Sequence, residues 1–253
     1  MIGEDSVISY FTGRRDGNLS FSRDSSPENV RERFGKIARE LKIDYKFIVC
    51  GRQTHGCRVG LVTEEHRGTG ISRPLAFDET DALITCVPGI VLCTIHADCI
   101  PVQFWDPVHR AVGAAHSGWK GTLGEIASRV TEKMAQCFGT QPKDLIAAIG
   151  PGICQECFEI SLDVFQAFQD KFPSLVQREN FVKPGRTHNK WQLNLKAFIY
   201  ESLLASGLPP QNISVSQDCT CCREDLYFSH RRDSLRPVTK GAMASLIALR
   251  PEK

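Results

Sequence analysis

The sequence predicts an α+β domain with mixed β-sheets inside and helices outside, and three observations carry that expectation. Short apolar runs at residues 82–85, 90–95, 102–105 and 111–115 are separated by Pro88-Gly89, Ala97-Asp98-Cys99 and Asp106-Pro107, as buried strands are. Other stretches place apolar residues three or four apart, such as Leu123, Ile126, Val130 and Met134, with the period of amphipathic helices. No segment repeats at a fixed period and no tract is of low complexity, so the 253 residues read as a single domain, 1–253.

In chain order, a polar stretch over 14–27 reads as a loop leading into a helix over 27–41, with Ser26 as its cap and Pro27 at its first position. Residues 47–50 form a short buried strand that runs into Gln53-Thr54-His55-Gly56. The charged segment 64–79 reads as an exposed loop. The four apolar runs are then expected as strands of one sheet, followed by a helix over 121–138, a strand over 145–149, and helices over 161–172 and 195–206.

Composition excludes several classes of partner. Lys plus Arg at 31 against Asp plus Glu at 29 leave a formal charge of +2, so no basic excess points to nucleic acid or an anionic membrane surface. The first residues lack a basic stretch followed by an apolar one, and no window reaches membrane-spanning length, so a cytoplasmic protein, monomer or homodimer, is expected. Eleven cysteines, an odd number in a long chain, suit reduced thiols better than a disulfide framework. Cys50, Cys86 and Cys93 sit in apolar runs and read as core residues.

Three segments place a metal-ligating side chain where an apolar run breaks into a turn: Gln53-Thr54-His55-Gly56, Ala97-Asp98-Cys99-Ile100-Pro101 and Ala115-His116-Ser117-Gly118-Trp119. Two imidazoles and a thiolate make a three-ligand set for catalytic zinc that leaves a fourth position for water. Zinc lowers the pKa of that water to about 7, which makes hydroxide available at neutral pH. Spacing alone leaves a second reading open, in which His55 and His116 are satisfied polar residues at strand ends and Cys99 is simply buried. Asp98 and Asp81 can orient a ligand imidazole, move a proton or cap a turn.

Gly118 and Gly121 flank Trp119-Lys120 ahead of a helix, whose free amides and Lys120 suit an anion; the alternative is a surface lysine beside a capping turn. In Phe228-Ser229-His230-Arg231-Arg232-Asp233, Arg231 can bind phosphate or a carboxylate, or pair internally with Asp233. Cys154-Gln155-Glu156-Cys157 and Cys219-Thr220-Cys221-Cys222 raise a four-thiolate structural zinc or a redox pair. Taken as Cys-x-Cys-Cys, the second cluster is not the usual partner, so a reduced thiol cluster near the mouth of the active site is the expectation.

The three ligand segments, with Asp81-Ala82-Leu83-Ile84-Thr85, Ile149-Gly150-Pro151-Gly152-Ile153, Asp218-Cys219-Thr220 and Phe228-Ser229-His230-Arg231-Arg232-Asp233, resemble the laccase-domain family over nearly the whole chain. Its members include polyphenol oxidases, purine nucleoside phosphorylases with adenosine deaminase activity, and peptidoglycan editing factors. The resemblance implies a four-layer α/β/β/α fold with mixed sheets, and zinc bound by His55, Cys99 and His116, with copper able to replace it in vitro. It also suggests substrate amides at Gln53 and Asn18, both of which can instead form turns. After Asp233 the chain departs from the family's Gly-x-Thr-Gly-Arg ending.

The function implied is a zinc-dependent purine nucleoside enzyme whose partners are a small nucleoside and phosphate. It would phosphorolyse adenosine, inosine or methylthioadenosine and deaminate adenosine, with Lys120 and Arg231 as phosphate candidates. A second hypothesis makes Cys99, activated by His116, the nucleophile of an amidase that edits peptidoglycan precursors. A polyphenol oxidase is disfavoured, because seven histidines without a His-x-His pair are a thin supply for several coppers. A non-enzymatic binding protein would instead need an exposed apolar patch.

Overall fold

The protein is described from a computed structural model, covering residues 6–236, 238 and 240–251. Two mixed sheets stack face to face. The first has the order β1 (Val7–Phe11), β13 (Met243–Leu249), β5 (Val91–His96), β2 (Ile48–Cys50). The second runs β12 (Ile213–Val215), β8 (Ile146–Ile149), β6 (Ile100–Asp106), β7 (Ala111–Ser117), β4 (Ala82–Thr85), β3 (Val59–Leu61). Within them β2 pairs parallel with β5, β3 with β4, and β12 with β8; the other pairs are antiparallel. A small antiparallel sheet of β9 (Glu159–Ile160), β11 (Trp191–Leu193) and β10 (Val182–Pro184) lies apart from these.

Three apolar clusters define four layers. Val30, Phe34 and Ile37 of α1 (Pro27–Leu41) pack on Ile8, Ile48, Cys93 and Leu246 of the first sheet. Val49, Leu92 and Ile247 meet Leu83, Val112 and Ala114 between the sheets. Ile84, Val102 and Phe104 face Val130 and Met134 of α3 (Ile126–Phe138), Phe168 of α4 (Leu162–Lys171) and Phe198 of α5 (Leu195–Ala205). Successive residues on a strand point to opposite faces, and both faces are covered, so the inner strands read as unbroken apolar runs. The four-layer α/β/β/α expectation holds.

Local signals explain the helix boundaries. Ser26 Oγ accepts the Glu28 amide at 3.2 Å, with Pro27 at the first helical position, as the sequence predicts. The helix expected over 121–138 is instead two: α2 (Trp119–Leu123) and α3. Glu125 takes a left-handed φ of 57° between them, and a Cβ on Gly124 would lie 2.1 Å from Cys57 Sγ, so the chain must bend where it passes that thiol.

Two further expectations are corrected. The four apolar runs do not share one sheet: β5 lies in the first sheet and β4, β6 and β7 in the second. Periodicity cannot separate the two, because both sheets bury both faces. Cys86 is exposed, since it follows the last residue of β4 as the chain leaves the sheet, whereas Cys50 and Cys93 are buried. Residues 64–79 contain no strand or α-helix, yet Thr69 and Ile71 within them are buried.

One buried amide joins the sheets. Gln103 on β6 is 1% exposed; it accepts from Ser9 Oγ on β1 at 2.5 Å and donates to Ser245 Oγ at 2.9 Å and Leu246 O at 3.0 Å on β13. Gln103→Leu leaves Ser245 and the Leu246 carbonyl without these bonds, so we predict a loss of about 1–3 kcal/mol in urea unfolding. An unchanged midpoint would mean that the clasp contributes nothing.

Candidate metal centre

The site forms at the seam of the two sheets. His55 lies in the loop after β2, Cys99 in the turn that carries the chain from β5 of one sheet to β6 of the other, and His116 near the end of β7. Their ligand atoms all lie within 4.8 Å of one another. The His55 and His116 rings are 4.9 Å apart and nearly perpendicular.

Asp81, fully buried just before β4, holds this arrangement. Its Oδ1 accepts from His116 Nδ1 at 2.8 Å and the His55 amide at 2.9 Å; its Oδ2 accepts the Thr54 and Gly56 amides at 3.0 and 2.9 Å. Burial pushes this carboxyl up, but those hydrogen bonds keep it below its ordinary value, so it is an anion that can only accept. A proton of His116 therefore stays on Nδ1, so Nε2 is the nitrogen left to bind a metal once its own proton is displaced. The same carboxylate fastens the loop in which His55 adopts its left-handed φ of 64°.

The residues fit a metal ion. Tetrahedral zinc bonds of about 2.0–2.3 Å set ligand atoms roughly 3.3–3.8 Å apart, a small contraction from the spread here. Gly118 leaves the room: a Cβ there would lie 2.9 Å from His55 Cδ2 and 3.0 Å from Cys99 Sγ. In the protein alone, burial would raise the Cys99 thiol, yet the His116 charge and hydrogen bonds from both histidines bring it down to about 6. Burial would lower His116, but the Cys99 charge and the Asp81 bond hold it up at about 9. Without a metal the two form a thiolate–imidazolium pair, and a metal ion would take the place of the His116 proton that faces the thiolate.

His55, Cys99 and His116 line a cavity of about 430 Å³, with Phe21, Leu75 and Ile95 as apolar wall and Arg23 and Arg52 as cations. Arg23 donates to Gly241 O at 3.0 Å, and Arg52 pairs with Asp78. His96 also lines the cavity. Its ring lies 5.1 Å from that of His116, its Nε2 is 2.7 Å from Thr94 Oγ1, and its buried Nδ1 has no partner among the described residues. Burial, then the neighbouring His116 charge, holds it well below the usual histidine value, so it is neutral.

The other predicted residues take different places. Asp98, at a left-handed φ of 86°, does not touch a ligand imidazole; it accepts from Thr220 Oγ1 at 2.6 Å, Ser229 Oγ at 3.0 Å and the Arg231 amide at 2.6 Å. Gln53 lines the cavity, but its amide is engaged at both ends with the Ile95 backbone, at 2.8 and 2.7 Å. Asn18 Oδ1 accepts the Ser20 and Ala242 amides, pinning two lining segments together. Lys120 is exposed, its Nζ 5.5 Å from the Trp119 ring centre. Arg231 donates to Glu159 O at 3.0 Å and lines a separate cavity with Arg186 and Arg236. Sequence reasoning missed Arg23, Arg52 and His96; only His96, an imidazole ending an apolar strand three residues before Cys99, gave a signal there.

The profile of the family described as multi-copper polyphenol oxidoreductase laccase matches residues 10–250. The chain belongs to this laccase-like family. Among its relatives, an adenosine deaminase, RL5, from an unknown prokaryotic organism is 36% identical over 78% of this chain and 74% of its own length. The purine nucleoside phosphorylase YlmD of Bacillus subtilis is 34% identical over 85% of this chain and 75% of its own. Among solved structures, YlmD from Geobacillus stearothermophilus superposes with a TM-score of 0.89 at 30% identity, covering 97% of this chain and 92% of that one. The hypothetical protein YfiH of Bacillus licheniformis gives 0.89 at 33%, covering 96% and 93%. The YlmD of Geobacillus stearothermophilus is itself named a purine nucleoside phosphorylase.

Because Asp81 orients His116 and fastens the His55 loop, we predict that Asp81→Asn weakens zinc binding at this centre about 10–100-fold. Competition titration against a chromophoric chelator measures it. Wild-type affinity in the variant would show that Asp81 supports the fold and not the metal.

Proposed function

We propose that the chain is a zinc-dependent purine nucleoside enzyme, which phosphorolyses adenosine, inosine or methylthioadenosine and deaminates adenosine. The observation that carries this reading is the convergence of His55, Cys99 and His116 on one cavity that also holds Arg23 and Arg52. The names of the relatives support it. The cavity's size falls in the range of small-ligand sites, its apolar wall suits a purine, and its two guanidinium groups suit phosphate. Zinc held there would supply Lewis acidity and a water acidic enough to ionise near neutral pH.

The chain's own groups take the remaining roles. His55, Cys99 and His116 bind the ion, and Asp81 keeps His116 in the tautomer that does so. His96, a neutral imidazole in the cavity lining, is the group in this reading that handles the proton which phosphorolysis needs as the base leaves and deamination needs as ammonia leaves. Arg23 and Arg52 bind phosphate in place of the Lys120 and Arg231 expected from the sequence, because those two lie elsewhere.

A second reading draws on the hydrogen-bonded chain from Asp81 to His116 to Cys99, an arrangement that can activate a thiolate for acyl transfer. One experiment separates the two. Untagged protein is analysed for metal and assayed on adenosine with and without phosphate, beside His55→Ala and Cys99→Ala. The nucleoside reading expects each variant to lose one equivalent of zinc and roughly 100-fold or more in turnover. Adenine formed with phosphate reports phosphorolysis, and inosine reports deamination. Amide hydrolysis that survives His55→Ala but not Cys99→Ala would overturn zinc catalysis and establish the cysteine hydrolase.

A further inference from the structure

Two neighbouring strands carry a second cluster. β8 and β12 pair in parallel, with Ile149 opposite Val215, so the loops after them leave the same end of the sheet side by side. The pairing continues as a bridge between Gly152 and Cys219, where the Thr220 amide donates to Gly152 O at 3.2 Å. Each loop carries a Cys-x-x-Cys: Cys154 and Cys157 after β8, Cys219 and Cys222 after β12. The intervening Cys221 masks the second pair when the segment is taken as Cys-x-Cys-Cys.

The four sulfurs of Cys154, Cys157, Cys219 and Cys222 lie within 4.8 Å of one another. Cys222 Sγ is 3.4 Å from Cys157 Sγ and 4.0 Å from Cys154 Sγ. Four thiolates about 2.3 Å from a tetrahedral ion stand about 3.8 Å apart, so this spread brackets the required one. Cys219 Sγ also accepts the Cys154 amide at 3.2 Å and the Cys222 amide at 3.4 Å, bonds that favour a thiolate over a thiol. Beside it, the largely buried Lys196 donates from Nζ to Ser216 O at 2.7 Å and Asp218 O at 2.8 Å, which fixes the approach to Cys219 and places a cation near a thiolate-rich centre.

We propose that Cys154, Cys157, Cys219 and Cys222 form a second, structural site for a zinc-like divalent ion, closed by four protein ligands and distinct from the centre at His55, Cys99 and His116. Four ligands leave no open position, so the ion there holds loops together and performs no catalysis. The loops it joins lead to the active site. Thr220, between two of the ligands, donates to Asp98, whose neighbour is Cys99; Arg232 donates to Thr220 O at 2.8 Å and Cys221 O at 3.0 Å. Loss of the thiolate-bound ion therefore loosens the turn that presents Cys99.

The test is metal stoichiometry in untagged, reduced protein. We expect about two zinc ions per chain in the wild type and one in His55→Ala, with X-ray absorption of that variant showing four sulfurs at about 2.3 Å. Cys157→Ser should abolish the sulfur-only signal and lower the melting temperature. If that variant does not fold, thiol counting on native wild type serves instead: chelation should expose five thiols that resist modification beforehand, the four of this cluster and Cys99, and four in native His55→Ala. His55→Ala free of metal would overturn the proposal, as would thiols equally reactive before and after chelation. A count that rises by two with reductant, revealing a disulfide, would overturn it in favour of a redox pair. None of these outcomes depends on nucleoside turnover, so this site and the proposed reaction stand or fall separately.

Discussion

The candidate metal centre depends on one buried carboxylate. Asp81 receives hydrogen bonds from three consecutive backbone amides and one imidazole. Hydrogen bonds to a charged group contribute about 1.5–3 kcal/mol each, more than neutral ones, and an anion this deeply buried needs every partner. The requirement acts in both directions. The carboxylate holds the 54–56 loop in a left-handed turn, and the loop's amides keep the carboxylate ionised at the base of β4. His55 and His116, 61 positions apart, thereby acquire a fixed separation.

Stacking the sheets then decides what else reaches the centre. The chain crosses from the first sheet to the second in the short turn between β5 and β6, and Cys99 sits in that crossing. The strained Asp98 conformation fits the same demand, because its side chain turns away from the metal centre to gather Thr220, Ser229 and Arg231. Asp98 and Asp81 thus divide the work. Asp81 positions ligands, and Asp98 fastens the carboxy-terminal loops around the site.

The cavity walls come from still more distant segments. Phe21 and Arg23 lie near the amino terminus, Ala242 near the carboxy terminus, and Asn18 bonds the two regions. The Arg23 guanidinium, bonded to the Gly241 carbonyl, brings local positive charge to a protein whose net charge is only +2, while Arg52 shares its charge with Asp78. A small anionic ligand needs only that local field, which overall composition does not reveal.

Local chemistry was legible in the sequence. The cap and first turn of α1 and the apolar runs of β4 to β7 follow from short-range rules of propensity, periodicity and turn formation; the three ligand segments stand where such runs break, and the family resemblance is what marks their side chains as ligands. The assignment of β5 to the other sheet, the break between α2 and α3, and the insertion of β13 between β1 and β5 do not, because each is set by a contact with a segment far away in the chain. The same limit applies to side-chain roles. Sequence order shows that Asp81, Asp98, Gln53 and Asn18 are polar residues near turns, but only the packing of two sheets determines which carboxylate meets an imidazole and which amides are already taken by backbone.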